Sequence, residues 1–289
     1  MPEPDKISHK SSWVILICVS MIILVVYVLL QAVSPLLPAV IEDFQVSHSA
    51  GGFLYAVPIM MIALFTYPLG IASDCLGSAK ALGLGGAIIL FSSLLRVFSS
   101  NFYLMLLFTG MFGLGFSLNL PNLSKTVKEH FPTHLVGKAT GVYTAAIPFG
   151  SGLGIALTKP LFEATGNWRH TVTILTLIAI PLISLSLIEM NRTKKRAPGT
   201  FQPPTEQQLS TGGAMENRKS APAKDLYVLD IIICGILLSL LNFTFFATIG
   251  WLPTYLTEVG WTSVSAGAAT SLISFVEVPA ILLYPFLSD

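Results

Sequence analysis

The sequence predicts an all-α membrane protein, a bundle of helices that cross a lipid bilayer. Of its 289 residues, 53% are hydrophobic and only 11% are charged, whereas about 25% of the residues in a typical soluble domain are charged. Two long runs, 11–41 and 44–73, contain no Asp, Glu, Lys or Arg. A helix needs about 20 apolar residues to cross the hydrocarbon core of a bilayer, and there the backbone must satisfy its own hydrogen bonds. Both runs are therefore expected to form spanning helices.

Eight segments have the length and composition of spanning helices. The first is too long for the apolar core of a signal peptide and lacks an A-x-A cleavage site, so it is interpreted as a span. The predicted spans are Trp13–Val40, Gly52–Ile71, Ala81–Phe98, Phe102–Ser124, Gly141–Leu161, Thr171–Met190, Val228–Tyr255 and Val264–Leu287.

The distribution of basic residues predicts the orientation of these spans. Of the 16 Lys and Arg residues, only Arg96, Lys159 and Arg169 lie near the ends on one side of the predicted bundle. Cytoplasmic loops are enriched in Lys and Arg, so the N-terminus and the loop at 191–225 are expected on the cytoplasmic side of the plasma (inner) membrane. Arg96 and Asp230 lie close enough to span ends to reach the interface, where we expect their charges.

The segment 191–225 separates six predicted spans from two. It is polar and rich in Pro, Gly, Ser and Thr, a composition typical of a flexible linker. We therefore predict a six-helix bundle at 1–190, a flexible cytoplasmic linker at 191–225, and the start of a second bundle, with two helices, at 226–289.

An internal repeat with an offset of 215 residues relates the two predicted bundles. The matching pairs are Leu37-Pro38 with Leu252-Pro253, Gly52 with Gly267, and Ser73-Asp74 with Ser288-Asp289. Each pair falls at the same place relative to its predicted helices; chance matches in an apolar chain are the alternative. A parallel repeat of six-helix halves is a known transporter architecture. The second half is then expected to continue past Asp289 by four helices, which predicts an incomplete transporter.

The loop after the second span contains a signature motif. Its two glycines, small residue, carboxylate and basic residue are Gly70, Gly77, Ser73, Asp74 and Lys80. A tight turn between helices needs glycine where the backbone is crowded, and a carboxylate pairs with a basic group or a helix N-terminus. The loop resembles the signature G-x-L-[GAS]-D-[RK]-x-G-R-[RK]-x of the major facilitator superfamily.

This resemblance implies a complete N-terminal six-helix half followed by the first two helices of a C-terminal half. It also implies that the loop latches the two halves together on the cytoplasmic side in the outward-facing state. Cys75 stands where the family usually has Arg or Lys, which implies a weaker latch. An ordinary capped turn without a gating role is the alternative.

Two further resemblances are local. Gly141, Gly150 and Gly154 follow the G-x8-G-x3-G spacing of the superfamily's antiporter motif, although Ile155 replaces the next Gly. Close packing of helices explains the same glycines equally well. The stretch 119–132, NLPNLSKTVKEHFP, is similar to the branch that includes cyanate and other small organic-anion carriers, which implies a small organic anion as one possible substrate.

Polar residues within the spans are candidates for substrate contact. In the superfamily, the first, fourth and seventh spans line the central cavity, and a polar side chain that faces lipid costs free energy. An interhelical hydrogen bond is the alternative for each candidate. The candidates are Tyr27, Gln31 and Ser34 in the first span, Asn119 and Asn122 in the fourth, and Asn242 and Thr248 in the seventh.

Glu277 lies in the middle of the eighth predicted span, far from either end. An ionised carboxylate at mid-bilayer costs roughly 2.5–3.5 kcal/mol on insertion scales. The side chain must therefore take up a proton, meet water or pair with a cation. We predict that it couples transport to protons or substrate, with a structural pairing role as the alternative.

These observations together predict a secondary active transporter that moves a small solute by alternating access. We expect a small-molecule substrate, protons and the bilayer as partners, no cofactor or metal, and a monomer. A net charge of +1 gives no reason to expect a nucleic-acid partner. The sequence contains no HExxH, GxSxG or paired-carboxylate motif, so no enzyme is predicted. The alternatives are a membrane receptor or scaffold that moves no solute, and an inactive transporter fragment.

Overall fold

The computed structural model describes residues 4–196 and 224–288. These residues form nine helices and no strand. The helices are α1 (Pro4–Gln31), α2 (Val33–Phe44), α3 (His48–Leu76), α4 (Ser78–Val97), α5 (Phe102–His130), α6 (Thr133–Thr165), α7 (Trp168–Arg196), α8 (Lys224–Glu258) and α9 (Ser263–Ser288).

Eight segments of the described chain are long and apolar enough to cross a membrane, which confirms the predicted all-α membrane fold. The first span, Ser11–Phe44, is built from α1 and α2, and each later helix contributes one span. The helix of the sixth span runs further than predicted: α7 continues to Arg196, supported near its end by an Arg192–Glu189 pair one turn apart. The first residues of the predicted linker are therefore helical, and 197–223 lies outside the described residues.

The first span is broken at Ala32, where the sequence predicted one continuous helix. Ala32 adopts a turn between α1 and α2. Proline has no N–H group and its ring clashes with the carbonyl group four residues earlier. Pro35 therefore removes the donor that the carbonyl group of Gln31 needs, and the helix is interrupted at that level.

The α1 helix occupies the centre of the first six spans. Val19, Ile22 and Val26 share one face of this helix and are fully buried, so that face is packed against neighbouring spans. Glycines let α6 approach it closely: a Cβ atom at Gly154 would lie 2.6 Å from the carbonyl oxygen of Val28. Close approach of backbones supplies the van der Waals contact that holds helices together in lipid.

The α9 helix packs along α6, whereas α8 contacts the first six spans at one end of the bundle. We call this the outer end; it carries Asp43 and Trp168, and the opposite, inner end carries Asp74 and Lys125. The Ser34 hydroxyl donates to backbone oxygens of α8, and Trp251 of α8 packs over Gly52. By contrast, the segment 232–244 of α8 is exposed. Among the described residues, α8 therefore meets the first six spans at the outer end and is separated from them towards the inner end, the predicted cytoplasmic side.

Arg96 is a correction to the sequence prediction. We expected it to reach the interface, but its side chain is 2% exposed and lies inside the first six spans. The helix α4 presents this residue to α5, where its guanidinium group stacks 4.4 Å from the centre of the Phe112 ring. The sequence indicated its position along the span, whereas the rotation of α4 decided which way it points.

Candidate functional site

A cavity of about 750 Å³ lies between α1, α3, α5 and α8. Most of its wall is apolar, with aromatic rings contributed by Phe116, Phe243 and Phe246. Four residues other than Trp251 bring polar groups, namely Tyr27, Tyr55, Ser239 and Asn242. The described lining contains no Asp, Glu, Lys or Arg. This size and composition are typical of small-molecule sites, in which a few polar groups orient the ligand.

Tyr27 is held at the cavity wall by an aromatic contact. Its ring meets Phe116 edge to face, with centroids 5.3 Å apart, an arrangement that aromatic pairs prefer. The phenol also lies within electrostatic range of Glu277 on α9. Tyr27 is therefore a residue of the cavity wall that lies within electrostatic range of Glu277, the carboxylate predicted at mid-membrane.

Tyr55 is a cavity residue that sequence reasoning missed. Its hydroxyl donates to Gln31 Oε1 at 2.7 Å, and both side chains are buried. Gln31 itself lies behind Tyr55, and its amide nitrogen has no hydrogen-bond partner among the described residues. The available signal was the position of Tyr55, one turn after Gly52, which the internal repeat had already singled out.

The remaining candidates for substrate contact lie in different parts of the structure. Asn242 lines the cavity, while its amide also donates to the carbonyl oxygen of Leu238. Thr248 lies six residues later, is exposed and is not part of the lining. Ser34 makes interhelical hydrogen bonds to α8, the alternative that the sequence left open.

Asn119 and Asn122 do not share one environment, contrary to the expectation that both face the cavity. Asn119 is buried against Gly85 of α4, whereas Asn122 faces α3 and accepts a hydrogen bond from Ser73 at 3.3 Å. Two residues three positions apart differ by about 60° around a helix. That angle is enough to assign them to different helix–helix interfaces.

A second cavity, of about 660 Å³, leads from the central cavity towards the inner end. The two cavities share Ile62, Ala63 and Leu120 as lining residues. At its far end, the second cavity is lined by Asp74 and Lys125. A continuous groove along α3 and α5 therefore joins the signature loop to the central cavity.

The signature loop forms the turn between α3 and α4. Gly77 has a φ angle of +79°, in the region that favours glycine, and its N–H group donates to the carbonyl oxygen of Ser73. Asp74 accepts a hydrogen bond from Lys125 of α5 at 2.7 Å, and both side chains are partly exposed. Lys80 is exposed on the first turn of α4, and Gly70 packs near Pro121 of α5.

Glu277 lies in the middle of α9 and is half-buried. Two residues earlier, Phe275 packs against Gly152 of α6, which fixes the orientation of α9 on the first six spans. Among the described residues, Glu277 takes part in none of the ion pairs. The described chain also contains no group of three or more His, Cys, Asp or Glu residues arranged to hold a metal ion.

A bundle of spanning helices around a cavity that opens at one end is the architecture of a membrane transporter. The chain belongs to the Major Facilitator Superfamily, whose family model matches residues 19–289.

Curated relatives include membrane transporters from bacteria. The chain is 25% identical to the uncharacterized transporter YycB of Bacillus subtilis (strain 168), over 100% of this chain and 67% of the relative. It is 24% identical to the 2-nitroimidazole transporter of Escherichia coli (strain K12), over 97% and 67%. It is 22% identical to the cyanate transport protein CynX of the same organism, over 89% and 62%. The chain thus spans about two thirds of the length of these relatives.

Solved transporters share the fold. A bacterial homolog of the human lysosomal transporter Spinster, in an inward-facing and unoccupied conformation, matches with a TM-score of 0.70 at 16% identity. The match covers 96% of this chain and 60% of that chain.

Proposed function

We propose that this protein is a secondary transporter that moves a small planar solute across the plasma membrane by alternating access. The observation that carries the proposal is the central cavity, with aromatic rings on its walls and the phenols of Tyr27 and Tyr55 at its edge. Flat rings stack on a planar solute, and the hydroxyl groups orient its polar edge. The similarity to the 2-nitroimidazole transporter supports a solute of this class.

The asymmetry of the bundle supports alternating access. The outer end is held by Ser34 and Trp251, whereas the groove at the inner end leads to the cavity. A solute that enters from the inner end reaches the cavity without crossing the outer contact. In the other half of the cycle, the outer contact breaks and the signature loop latches the inner end, with Gly70, Ser73, Asp74, Gly77 and Lys80 as its residues.

The absence of a cationic side chain from the described lining favours a neutral solute over a small organic anion. A buried anion needs a charged or multiply hydrogen-bonding partner, and the described wall offers two phenols, one hydroxyl and one amide instead. A small organic anion is the second candidate, because the chain is similar to the cyanate transport protein.

We further propose that Glu277 couples the solute movement to a proton gradient. The carboxylate is at mid-span and within electrostatic range of Tyr27, which lines the cavity. A change in the charge of Glu277 therefore acts on a residue of the cavity wall. An ionised carboxylate is costly at this depth. Glu277 is therefore expected to take up a proton when it is shielded from water and to release it when the conformational change exposes it.

The test is uptake of 2-nitroimidazole into proteoliposomes that contain the purified protein, with and without an imposed pH gradient. We expect saturable uptake that increases with the gradient. Asn242→Leu should reduce kcat/KM at least tenfold, because it removes a polar group from the wall. Thr248→Leu is the matched control, on the same helix but off the lining, and should stay within twofold of wild type.

Each alternative gives a different result. Binding of the solute without uptake would favour a receptor, and neither binding nor uptake by a well-folded protein would contradict the proposed solute class. Equal losses in both variants would indicate that the cavity wall has no special role.

A further inference from the structure

A third, smaller cavity lies inside the first six spans, near the break in the first span. Its volume is about 20 Å³, and Ala32, Val33 and Leu36 form one wall. Arg96 and Ser93, one turn apart on α4, face it from the other side. The lining shares no residue with the central cavity. This cavity is therefore separate from the proposed solute pathway.

Arg96 brings a buried charge to this cavity. The guanidinium group is effectively always protonated in proteins, and this one is 2% exposed. Its Nε and Nη2 atoms have no hydrogen-bond partner, and it takes part in none of the ion pairs of the described residues. No carboxylate is present in the described lining of the cavity. Burial of a cation without a partner is costly.

Stacking on Phe112 compensates only part of this cost. The guanidinium carbon lies 4.4 Å from the ring centroid, and a desolvated cation–π contact contributes about 2 kcal/mol. A ring face does not accept the hydrogen bonds that Nε and Nη2 can donate in the plane of the guanidinium group, and these two atoms have no acceptor among the described residues. The hydroxyl group of Ser93 is also buried and has no hydrogen-bond partner in the described part of the chain. Three polar atoms of two residues therefore need an acceptor in the same place.

We propose that this cavity binds one small monovalent anion, of the halide class. A negative ion neutralises Arg96, accepts hydrogen bonds from its N–H groups and accepts another from the Ser93 hydroxyl. The volume fits one water-sized particle, which excludes organic anions and phosphate. The ion acts as a structural counter-charge that holds α4 against the α1–α2 break.

The experiment measures thermal unfolding of the purified chain in detergent, with gluconate replaced by chloride, bromide or iodide at constant ionic strength. We expect halides to raise the wild-type midpoint by about 2–4 °C, because an ion that binds only the folded state stabilises it. Arg96→Gln should remove this dependence. Lys159→Gln, which removes another buried cation at the outer end, should keep it.

A direct measurement keeps the proposal testable if Arg96→Gln does not fold. Crystals of the wild-type protein grown in bromide should show an anomalous peak within about 3.5 Å of the guanidinium group. The proposal would be overturned if halides did not change the midpoint of thermal unfolding of the wild type and no bromide peak appeared at Arg96. The cavity would then be assigned to water. Equal halide dependence in wild type and Arg96→Gln would also overturn it.

Discussion

The hydroxyl group of Ser34 donates to the carbonyl oxygen of Ile249 at 2.9 Å, across the contact between α2 and α8. These two residues are separated by 215 positions, the offset of the internal repeat. Pro253 lies four residues after Ile249, so this carbonyl group lacks its usual donor within the helix. Ser34 therefore donates to the Ile249 carbonyl group the hydrogen bond that Pro253, which has no N–H group, cannot donate. Equivalent residues of a parallel repeat meet in this way where they lie close to the pseudo-two-fold axis.

The contact predicts a role for Ser34 in closing the outer end. Ser34→Ala leaves the Ile249 carbonyl group without this donor, at a cost of about 1 kcal/mol or roughly fivefold in population. We expect a shift towards the outward-open state. The measurement is the rate at which an impermeant maleimide labels Ala56→Cys from outside, in a background with the three native cysteines replaced by serine.

Ser151→Ala is the matched control for this shift. Ser151 is also buried, but the bond that its hydroxyl makes among the described residues is to Ile147 within its own helix. Its labelling rate should equal that of the parent. Equal rates in Ser34→Ala and the parent would show that the hydroxyl does not hold the outer end closed.

Asp74 is expected to affect transport more than stability. Its ion pair with Lys125 is partly exposed, and exposed pairs contribute about 0–1 kcal/mol. Asp74→Asn should therefore keep expression and solute binding but slow uptake several-fold, because the latch of the inner end is weakened. Glu189→Gln, which removes a surface pair within α7, should leave uptake unchanged. Normal uptake by a well-expressed Asp74→Asn variant would remove the latch role.

Glu277 is expected to carry the pH dependence of uptake. Glu277→Gln keeps the shape of the side chain and removes its charge, so the protein should fold while uptake becomes independent of pH between about 5 and 8. Glu258→Gln, at the exposed outer end of α8, should keep the wild-type profile. If Glu277→Gln lowers the stability of the protein and leaves the pH dependence of uptake unchanged, Glu277 has a structural pairing role instead.

The glycines of α6 are expected to be packing residues. A Cβ atom at Gly150 would overlap the backbone of Leu24, so Gly150→Ala should lower the unfolding free energy by about 1–3 kcal/mol. At Gly137, on the same helix, no atom lies within 4 Å of the added carbon. Gly137→Ala should be neutral or stabilise the helix by up to about 1 kcal/mol. Thermal unfolding of both variants measures the difference; equal effects would contradict close packing at Gly150.

The sequence by itself determined the membrane fold, the eight spans and the signature loop. Apolar length and the alternation of basic residues carry this information, because lipid imposes the same requirement on every spanning segment. It also indicated that Glu277 lies at mid-membrane. These features depend only on where residues lie along the chain, so the sequence alone is enough to predict them.

Only the tertiary structure decided which way the side chains face. Thr248 and Asn242 are both polar residues of one span, yet only Asn242 lines the cavity. Tyr55 lies among apolar residues in the sequence, but its hydroxyl makes a buried hydrogen bond at the cavity. Arg96 lies near the end of a span, but its side chain points into the bundle. In lipid, helices associate through shape and small residues, without a strong hydrophobic force that marks the buried face. The rotation of each helix is therefore set by its neighbours, and with it the composition of the cavity.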